Sequence, residues 1–215
     1  MKTTIFRLAA AIVFFPCAAF AHPHIFAEAH LEIVAGDDGT VSELRNVWRF
    51  DEVFSSSVLL DFDKNADNQL DHSELADVGA VVLDSMQEYD YFLNITQNGK
   101  NITVKKPSQM IADYKDGQLL LIFAAEPKVK MPLKGNMSFG VYDPTLYTAM
   151  DFPTDGDMMV EGKAFKKCTH KVVRPDPDEV ISQNQSQLTE AFWNDPMGTD
   201  RSKLFATRIE IACGS

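Results

Sequence analysis

Oxygen-bearing side chains recur at a fixed spacing between Asp63 and Glu74, and the spacing is typical of a calcium loop. The segment reads Asp-Lys-Asn-Ala-Asp-Asn-Gln-Leu-Asp-His-Ser-Glu. Ca²⁺ takes about six to eight oxygen ligands, which an EF-hand loop supplies from positions 1, 3, 5, 7, 9 and 12. The residues at those positions are Asp63, Asn65, Asp67, Gln69 (through its backbone carbonyl), Asp71 and Glu74. The sequence therefore predicts one Ca²⁺ site.

The flanks of this segment support the prediction, with one departure from the usual pattern. Leu75, Val78, Val82 and Met86 have the spacing of one face of an exiting helix. Position 6 is normally Gly because the turn needs a positive φ, and here it is Asn68, a residue type that tolerates that region. We find no second loop with this spacing, so we expect a lone, weak site with a Kd of roughly 10⁻⁴ to 10⁻³ M. The alternative is a solvated acidic turn between two helices.

The first 21 residues are typical of a secretory signal peptide. Lys2 and Arg7 form a basic start, residues 8–15 are apolar, and Ala19-Phe20-Ala21 is a small-x-small cleavage site. Cleavage after Ala21 predicts a periplasmic or secreted protein with one mature domain, residues 22–215. The apolar run is about half the length that a transmembrane helix needs, and no later segment is longer, so we expect a soluble chain that does not span a membrane.

A second candidate metal site lies at the new amino terminus. Cleavage leaves the free α-amino group, His22 and His24 together, which are nitrogen donors suited to Zn²⁺, Ni²⁺ or Cu²⁺. Pro23 has no backbone N–H, so the square-planar motif that uses deprotonated amides is excluded. A further ligand has to come from another strand, and His170 is the candidate. The alternative is a solvated terminus that binds nothing.

The cysteine count points to a disulfide. Removal of the leader also removes Cys17 and leaves Cys168 and Cys213. An even pair in an oxidising compartment favours a disulfide bond, which here would join the last segment to the body of the protein. The alternative is that Cys168 and His170 act together as metal ligands.

Composition limits the classes of partner and reaction. The 215 residues contain 20 Lys+Arg against 31 Asp+Glu, a formal net charge of -11, and 45% of them are hydrophobic, which is enough for a real core. The acidic balance argues against nucleic acid or an anionic membrane as a partner and favours cations. The sequence has no hydrolase nucleophile elbow, phosphate-binding glycine loop or His-Glu-x-x-His motif, so we predict no catalytic residues and no enzyme.

The elements that must position these residues are mostly strands. Residues 25–33 alternate apolar and polar side chains, and Asn98-Gly99 and Asp116-Gly117 are typical hairpin turns. Strands are predicted at 25–33, 41–50, 91–97, 100–106, 109–115, 118–125, 136–142, 146–152, 158–165, 167–173 and 204–212, and helices within 51–86 and over 178–193. The fold class is therefore α+β, a mainly antiparallel β-sandwich-like body with an EF-hand-like helix-loop-helix inserted at about 51–89.

Three segments resemble one family. The start His22-Pro-His-Ile-Phe, the Asp/Asn-rich loop and Val141-Tyr-Asp-Pro-Thr-Leu-Tyr147 look like exported bacterial proteins of unknown function, labelled the periplasmic component of an uncharacterised ABC-type transport system. Members often lie beside nickel, cobalt or zinc permease genes. The resemblance implies handling of divalent metals outside the inner membrane, with a metal permease as partner. Composition alone predicts a strand end and a turn at Tyr142–Thr145.

These observations favour a periplasmic divalent-metal-binding accessory protein of a metal transport system with calcium in its loop. One alternative is a calcium-stabilised interaction module with no transition-metal role. Another is a copper monooxygenase, because an amino-terminal histidine with one further histidine, such as His170, resembles the copper-binding brace of such enzymes. Copper-dependent consumption of peroxide would distinguish this enzyme from the accessory protein.

Overall fold

The computed structural model describes residues 23–199 and 201–214, and the predicted leader and His22 lie outside them. The strands are β1 (Ile25–Ala35), β2 (Thr40–Phe50), β3 (Leu93–Gln97), β4 (Lys100–Ile102), β5 (Ile111–Lys115), β6 (Gln118–Ala125), β7 (Met131–Pro132), β8 (Gly135–Val141), β9 (Thr148–Asp151), β10 (Met158–Glu161), β11 (Cys168–Val173) and β12 (Arg208–Cys213). The α-helices are α1 (Glu52–Phe62), α2 (His72–Ser85), α3 (Pro177–Gln183), α4 (Glu190–Asn194) and α5 (Pro196–Thr199). None of the described helices combines the length and the apolar character needed to cross a membrane.

The strands form two sheets. One has the hydrogen-bonded order β10-β1-β2-β6-β5, with β7 beside β2 and β9 beside β1, and the other has the order β11-β12-β8-β3-β4. Alternation along β1 buries Ala27, Ala29, Leu31 and Ile33 while their neighbours face outward, as the sequence predicts. The buried faces of both sheets contribute to a single apolar core. The α+β, β-sandwich-like class is thereby confirmed.

Pairing is antiparallel except at one edge. The start of β1 pairs in parallel with β9, and its later part pairs in parallel with β10. Parallel partners need a long connection rather than a turn, so no local signal in the sequence indicates them. The second sheet is antiparallel throughout, and a disulfide between Cys168 and Cys213 joins the edge strand β11 to β12. The predicted disulfide is confirmed, and the alternative of Cys168 as a metal ligand is wrong because its sulfur is bonded to Cys213.

Several predicted elements are shorter than expected. The strands predicted at 100–106, 109–115, 146–152, 158–165, 167–173 and 204–212 are observed at Lys100–Ile102, Ile111–Lys115, Thr148–Asp151, Met158–Glu161, Cys168–Val173 and Arg208–Cys213. The strand predicted from residue 91 begins at Leu93, because Asp90, Tyr91 and Phe92 all have positive φ (47°, 56° and 59°) and form a left-handed turn. The helix predicted over 178–193 is divided into α3 and α4. The polar run from Asn184 to Gln187 between them has no apolar face to bury, so the chain leaves the helix there.

The helical insert lies between β2 and β3 and packs on β5 and β6. Ser55 of α1 is fully buried, and its Oγ accepts a hydrogen bond from the backbone N–H of Leu119 (2.9 Å). Gly79 of α2 approaches Met110 so closely that an added Cβ would lie 2.1 Å from the Met110 carbonyl oxygen. Both helices that flank residues 63–71 are therefore anchored to the first sheet.

Candidate metal centre

The candidate loop, defined as Asp63–Glu74, links the two helices of the insert. Helix α1 ends at Phe62, and α2 begins after Asp71. Asn68, at position 6, has a φ of 61°, the left-handed conformation that the motif requires there. Ala66, at position 4, also has a positive φ (58°), although alanine has no side chain that compensates for it. The sequence does not signal this second left-handed residue.

Carboxylate and amide oxygens of the candidate loop turn inward onto its own backbone. The two carboxylate oxygens of Asp63 accept hydrogen bonds from the N–H groups of Asp67 (3.2 Å) and Asn68 (2.8 Å). The side-chain oxygen of Asn65 also accepts from the Asp67 N–H (2.9 Å). The chain thus wraps around the oxygens at positions 1 and 3, which brings several acceptors to the inside of one turn.

Glu74, at position 12, closes the candidate loop. Its side chain is 2% exposed, although it sits on a helix at the protein surface. One carboxylate oxygen accepts from the backbone N–H of Lys64 (2.8 Å) and the other from that of Asp71 (2.9 Å). A buried carboxylate is costly unless it is paired or hydrogen-bonded, so these two contacts fix the Glu74 side chain across both ends of the loop.

Asp71, at position 9, also caps helix α2. Its side chain accepts from the N–H of Glu74 (3.0 Å) and from both the N–H (2.7 Å) and the hydroxyl (2.9 Å) of Ser73. Together with the Glu74 contact to the Asp71 N–H, this is a reciprocal capping box. These hydrogen bonds hold the pKa of the Asp71 carboxyl below its ordinary value, so the side chain is ionised at neutral pH.

No group of three or more His, Cys, Asp or Glu side chains in residues 23–199 and 201–214 is arranged to hold a metal ion. In the candidate loop the carboxylates point to backbone N–H groups rather than to a common centre. An EF-hand loop also uses an amide side chain and a backbone carbonyl as ligands, and here Asn65 and Gln69 would supply them. A group made only of His, Cys, Asp and Glu side chains does not include these two ligands.

The predicted histidine ligands are not brought to one place. His24 lies just before β1, where its N–H donates to the Tyr147 carbonyl (2.8 Å) and its ring lies 4.8 Å from the Tyr147 ring. His170 lies in β11 of the other sheet, opposite Ile211, and lines a groove between that sheet and α3. His22 is outside the described residues.

Almost all of the chain matches one sequence family. The match covers residues 7–213, and the family is described as "Protein of unknown function (DUF1007)". The chain belongs to the DUF1007 family. No curated protein matches this DUF1007 chain by sequence. Among solved structures, it is similar to an acetylcholine-binding protein of Capitella teleta in complex with lobeline, with 9% identity, 94% of this chain and 90% of that chain covered, and a TM-score of 0.31.

Two structurally important polar residues of this DUF1007 protein escape sequence reasoning. Asp51 caps α1 by accepting from the N–H groups of Val53 (2.9 Å) and Phe54 (3.0 Å). Asp143, only 4% exposed, organises the turn after β8. An acid before a helical stripe signals the first. The second stands in an Asp-x-Thr turn, which agrees with the predicted turn but does not reveal its burial.

Proposed function

We propose that this DUF1007 protein is an exported calcium-binding protein that holds one Ca²⁺ in the candidate loop. The observation that supports this most directly is the conformation of Glu74, whose buried carboxylate already reaches across both ends of the loop. A carboxylate at position 12 that closes the loop is what bidentate calcium coordination needs. Asp63, Asn65, Asp67, Asp71 and the Gln69 carbonyl would supply the other oxygens.

The structure of the insert suggests what bound calcium would do. Helices α1 and α2 are anchored to the first sheet through Ser55 and Gly79, so the loop joins two elements that are already fixed. Calcium would then stabilise the insert rather than open it. A lone loop with weak affinity suits such a structural role at extracytoplasmic calcium concentrations.

Calorimetric titration of the metal-stripped protein with Ca²⁺ tests this proposal. We expect submillimolar to millimolar binding that is lost in Glu74→Gln, because the amide cannot close the loop bidentately. Glu126→Gln is the matched control, since it neutralises an exposed acid that forms an ion pair with Lys105 (2.7 Å), outside the candidate loop. Absence of calcium binding in the folded protein, or equal binding by Glu74→Gln, would overturn the proposal.

We further propose that the protein is a periplasmic accessory protein of a metal transport system, with a transition metal at its amino terminus. Support comes from His24, which is exposed at the start of β1, and from the predicted cleavage that leaves His22 as a terminal donor. An inner-membrane metal permease would be the partner. Pro23 between the two histidines limits binding to imidazoles and the α-amine.

Titration of protein that begins at His22 with Zn²⁺, Ni²⁺ and Cu²⁺ tests the second proposal separately. We expect binding that is weakened at least about tenfold in His24→Ala, because one of three nitrogen donors is lost. His30→Ala is the matched control, since His30 lies within β1, away from the amino terminus, and its ring lies beside Asp157 (3.7 Å). Calcium binding without transition-metal binding would leave a calcium-stabilised interaction module and would remove the metal-transport role.

A further inference from the structure

A cavity of about 970 Å³ lies beside the start of β1, and no residue of the candidate loop lines it. Its walls come from the turn after β8, from β9 and from the short helices between β11 and β12. Its apolar lining includes Leu146, Met150, Leu188, Trp193 and Phe205. A cavity of a few hundred to about 1,000 Å³ with mainly apolar walls and a few polar groups is typical of small-molecule sites.

Hydrogen bonds to one buried carboxylate fix the turn that forms one wall. Asp143 accepts from the N–H and hydroxyl of Thr145 (2.8 and 2.6 Å) through one oxygen and from the Thr148 N–H (2.9 Å) through the other. The hydroxyl of Ser202, 2% exposed, donates to the Pro144 carbonyl (2.6 Å). A hydrogen bond therefore joins this turn to the short 3-10 helix Ser202–Phe205, and both segments contribute residues to the cavity wall.

Leu146 is held in an unfavourable backbone conformation in that wall. Its φ is 60°, a region that branched apolar residues rarely occupy, and its N–H donates to the Asp143 carbonyl (3.0 Å). Such strain persists only when the surroundings enforce it, and it is concentrated at binding sites. Here the Asp143 network enforces it, and the result is an apolar side chain lining the cavity.

The aromatic and charged groups of the cavity indicate the kind of ligand. The rings of Trp193 and Phe205 lie 6.3 Å apart, and both contact the fully buried Phe192. The acidic residues in the described lining are Asp143 and Glu190, and no Lys, Arg or His is among the described lining residues. Aromatic faces and carboxylates both attract cations, whereas they repel anions.

We propose that this cavity binds a hydrophobic organic cation, an amine or quaternary ammonium that carries an apolar chain. The aromatic and aliphatic walls would hold the chain, and Glu190 at the rim together with the ring faces would hold the cationic group. This proposal does not depend on calcium binding. It gives a role to the Val141–Tyr147 segment, which supplies Tyr142, Asp143 and Leu146 to the cavity wall.

The test compares two probes with the same chain and opposite charge. Octyltrimethylammonium and octyl sulfate, both below their micellar concentrations, are titrated into the ¹⁵N-labelled protein while the indole N–H signals are followed by NMR. The chain has two tryptophans, Trp193 in the cavity and Trp48 in the core, and Trp193→Phe assigns them. We expect the ammonium probe to shift the Trp193 signal and leave Trp48 unchanged, with at least about tenfold tighter binding than the sulfate.

A single-charge variant then tests the source of the selectivity. Glu190→Gln should weaken ammonium binding by about 3- to 10-fold and leave sulfate binding unchanged or stronger, because the rim loses its negative charge. Asp37→Asn, in an exposed turn that does not contribute to the cavity lining, is the matched control and should bind both probes like the original protein. Equal affinity for both probes, or no shift of the Trp193 signal with either, would overturn the proposal.

Discussion

The backbone N–H of Phe26 donates a hydrogen bond to the carboxylate of Asp51 (2.9 Å), and the Asp51 N–H donates back to the Phe26 carbonyl (2.9 Å). The same Asp51 carboxylate caps the first turn of α1. One side chain therefore connects the start of the first strand to the helix that leads into the candidate loop. The start of β1 is therefore joined by hydrogen bonds to the first turn of α1, and the candidate loop follows the far end of that helix.

This carboxylate gives a prediction for acid stability. Burial raises the pKa of Asp51, but the hydrogen bonds from the N–H groups of Phe26, Phe54 and Val53 outweigh it and leave the pKa below the ordinary value. A depressed folded-state pKa stabilises the protein above the unfolded-state value of about 4, and that contribution is lost as the pH falls through the folded-state pKa. Urea unfolding from pH 6 down to pH 2 should show a smaller loss of stability for Asp51→Asn than for the original protein. Asp37→Asn should follow the original curve, and identical curves for all three proteins would contradict the prediction.

Substitution of Gly79 in α2 should destabilise the protein. Alanine there gains up to about 1 kcal/mol of helix propensity, but its Cβ would clash with the Met110 carbonyl oxygen. The clash involves backbone, so we expect Gly79→Ala to lower the free energy of unfolding by about 1 to 3 kcal/mol. Thermal unfolding of the variant and the original protein measures this difference. Ala80→Met adds more bulk at the next, exposed position of the helix and should change stability by less than about 0.5 kcal/mol. A stabilising Gly79→Ala would show that the helix does not approach β5 as closely as described.

Replacement of Ala66 by glycine should stabilise the protein. A left-handed alanine is strained by about 1 to 2 kcal/mol, and glycine removes that strain at a smaller entropic cost. We expect Ala66→Gly to raise the free energy of unfolding by about 0.5 to 1 kcal/mol and to strengthen calcium binding in the same titration as above. The same substitution in the regular part of α2, Ala80→Gly, should instead destabilise by about 1 kcal/mol. If both substitutions change the free energy of unfolding in the same direction, Ala66 does not have a left-handed conformation.

The disulfide should make the largest covalent contribution to stability. It closes a loop with a sequence separation of 45 residues between Cys168 and Cys213. The chain-entropy model then gives about 3 to 4 kcal/mol. Urea unfolding of the double variant Cys168→Ala/Cys213→Ala should show that loss, and dithiothreitol should have no further effect on this variant. If dithiothreitol still lowers the stability of the double variant, the effect of the reductant does not come from this disulfide.

Local patterns in the sequence predict the hairpins and the insert well. Asn98 and Gly99, and likewise Asp116 and Gly117, all have positive φ, which is what a two-residue hairpin turn requires. The apolar stripe that contains Val78 predicts the buried face of α2. These features depend on neighbours only a few residues apart, so composition and spacing are sufficient to find them.

Features set by distant residues could not be predicted in the same way. The parallel pairing of β9 and β10 with β1 depends on the return path of the chain. The left-handed turn at residues 90–92 is imposed by packing, because Tyr91 is buried in the core and Phe92 stacks on Trp48 at 5.9 Å. The cavity forms only where Leu146, Trp193 and Phe205 converge from separate segments. The spacing predicts the ligands of the candidate loop, but it does not indicate that Glu74 is buried.

The parallel partners of β1 also affect the order in which the chain can fold. Leu31 lies near the amino terminus, yet its partner across the edge is Met158, more than a hundred residues later in the chain. Contacts between such distant residues make folding slow, because a long segment must be ordered before they form. The first sheet therefore cannot be completed until most of the polypeptide has been synthesised. If the protein is exported, as proposed above, this pairing would keep the first sheet incomplete while the chain passes through a secretion channel.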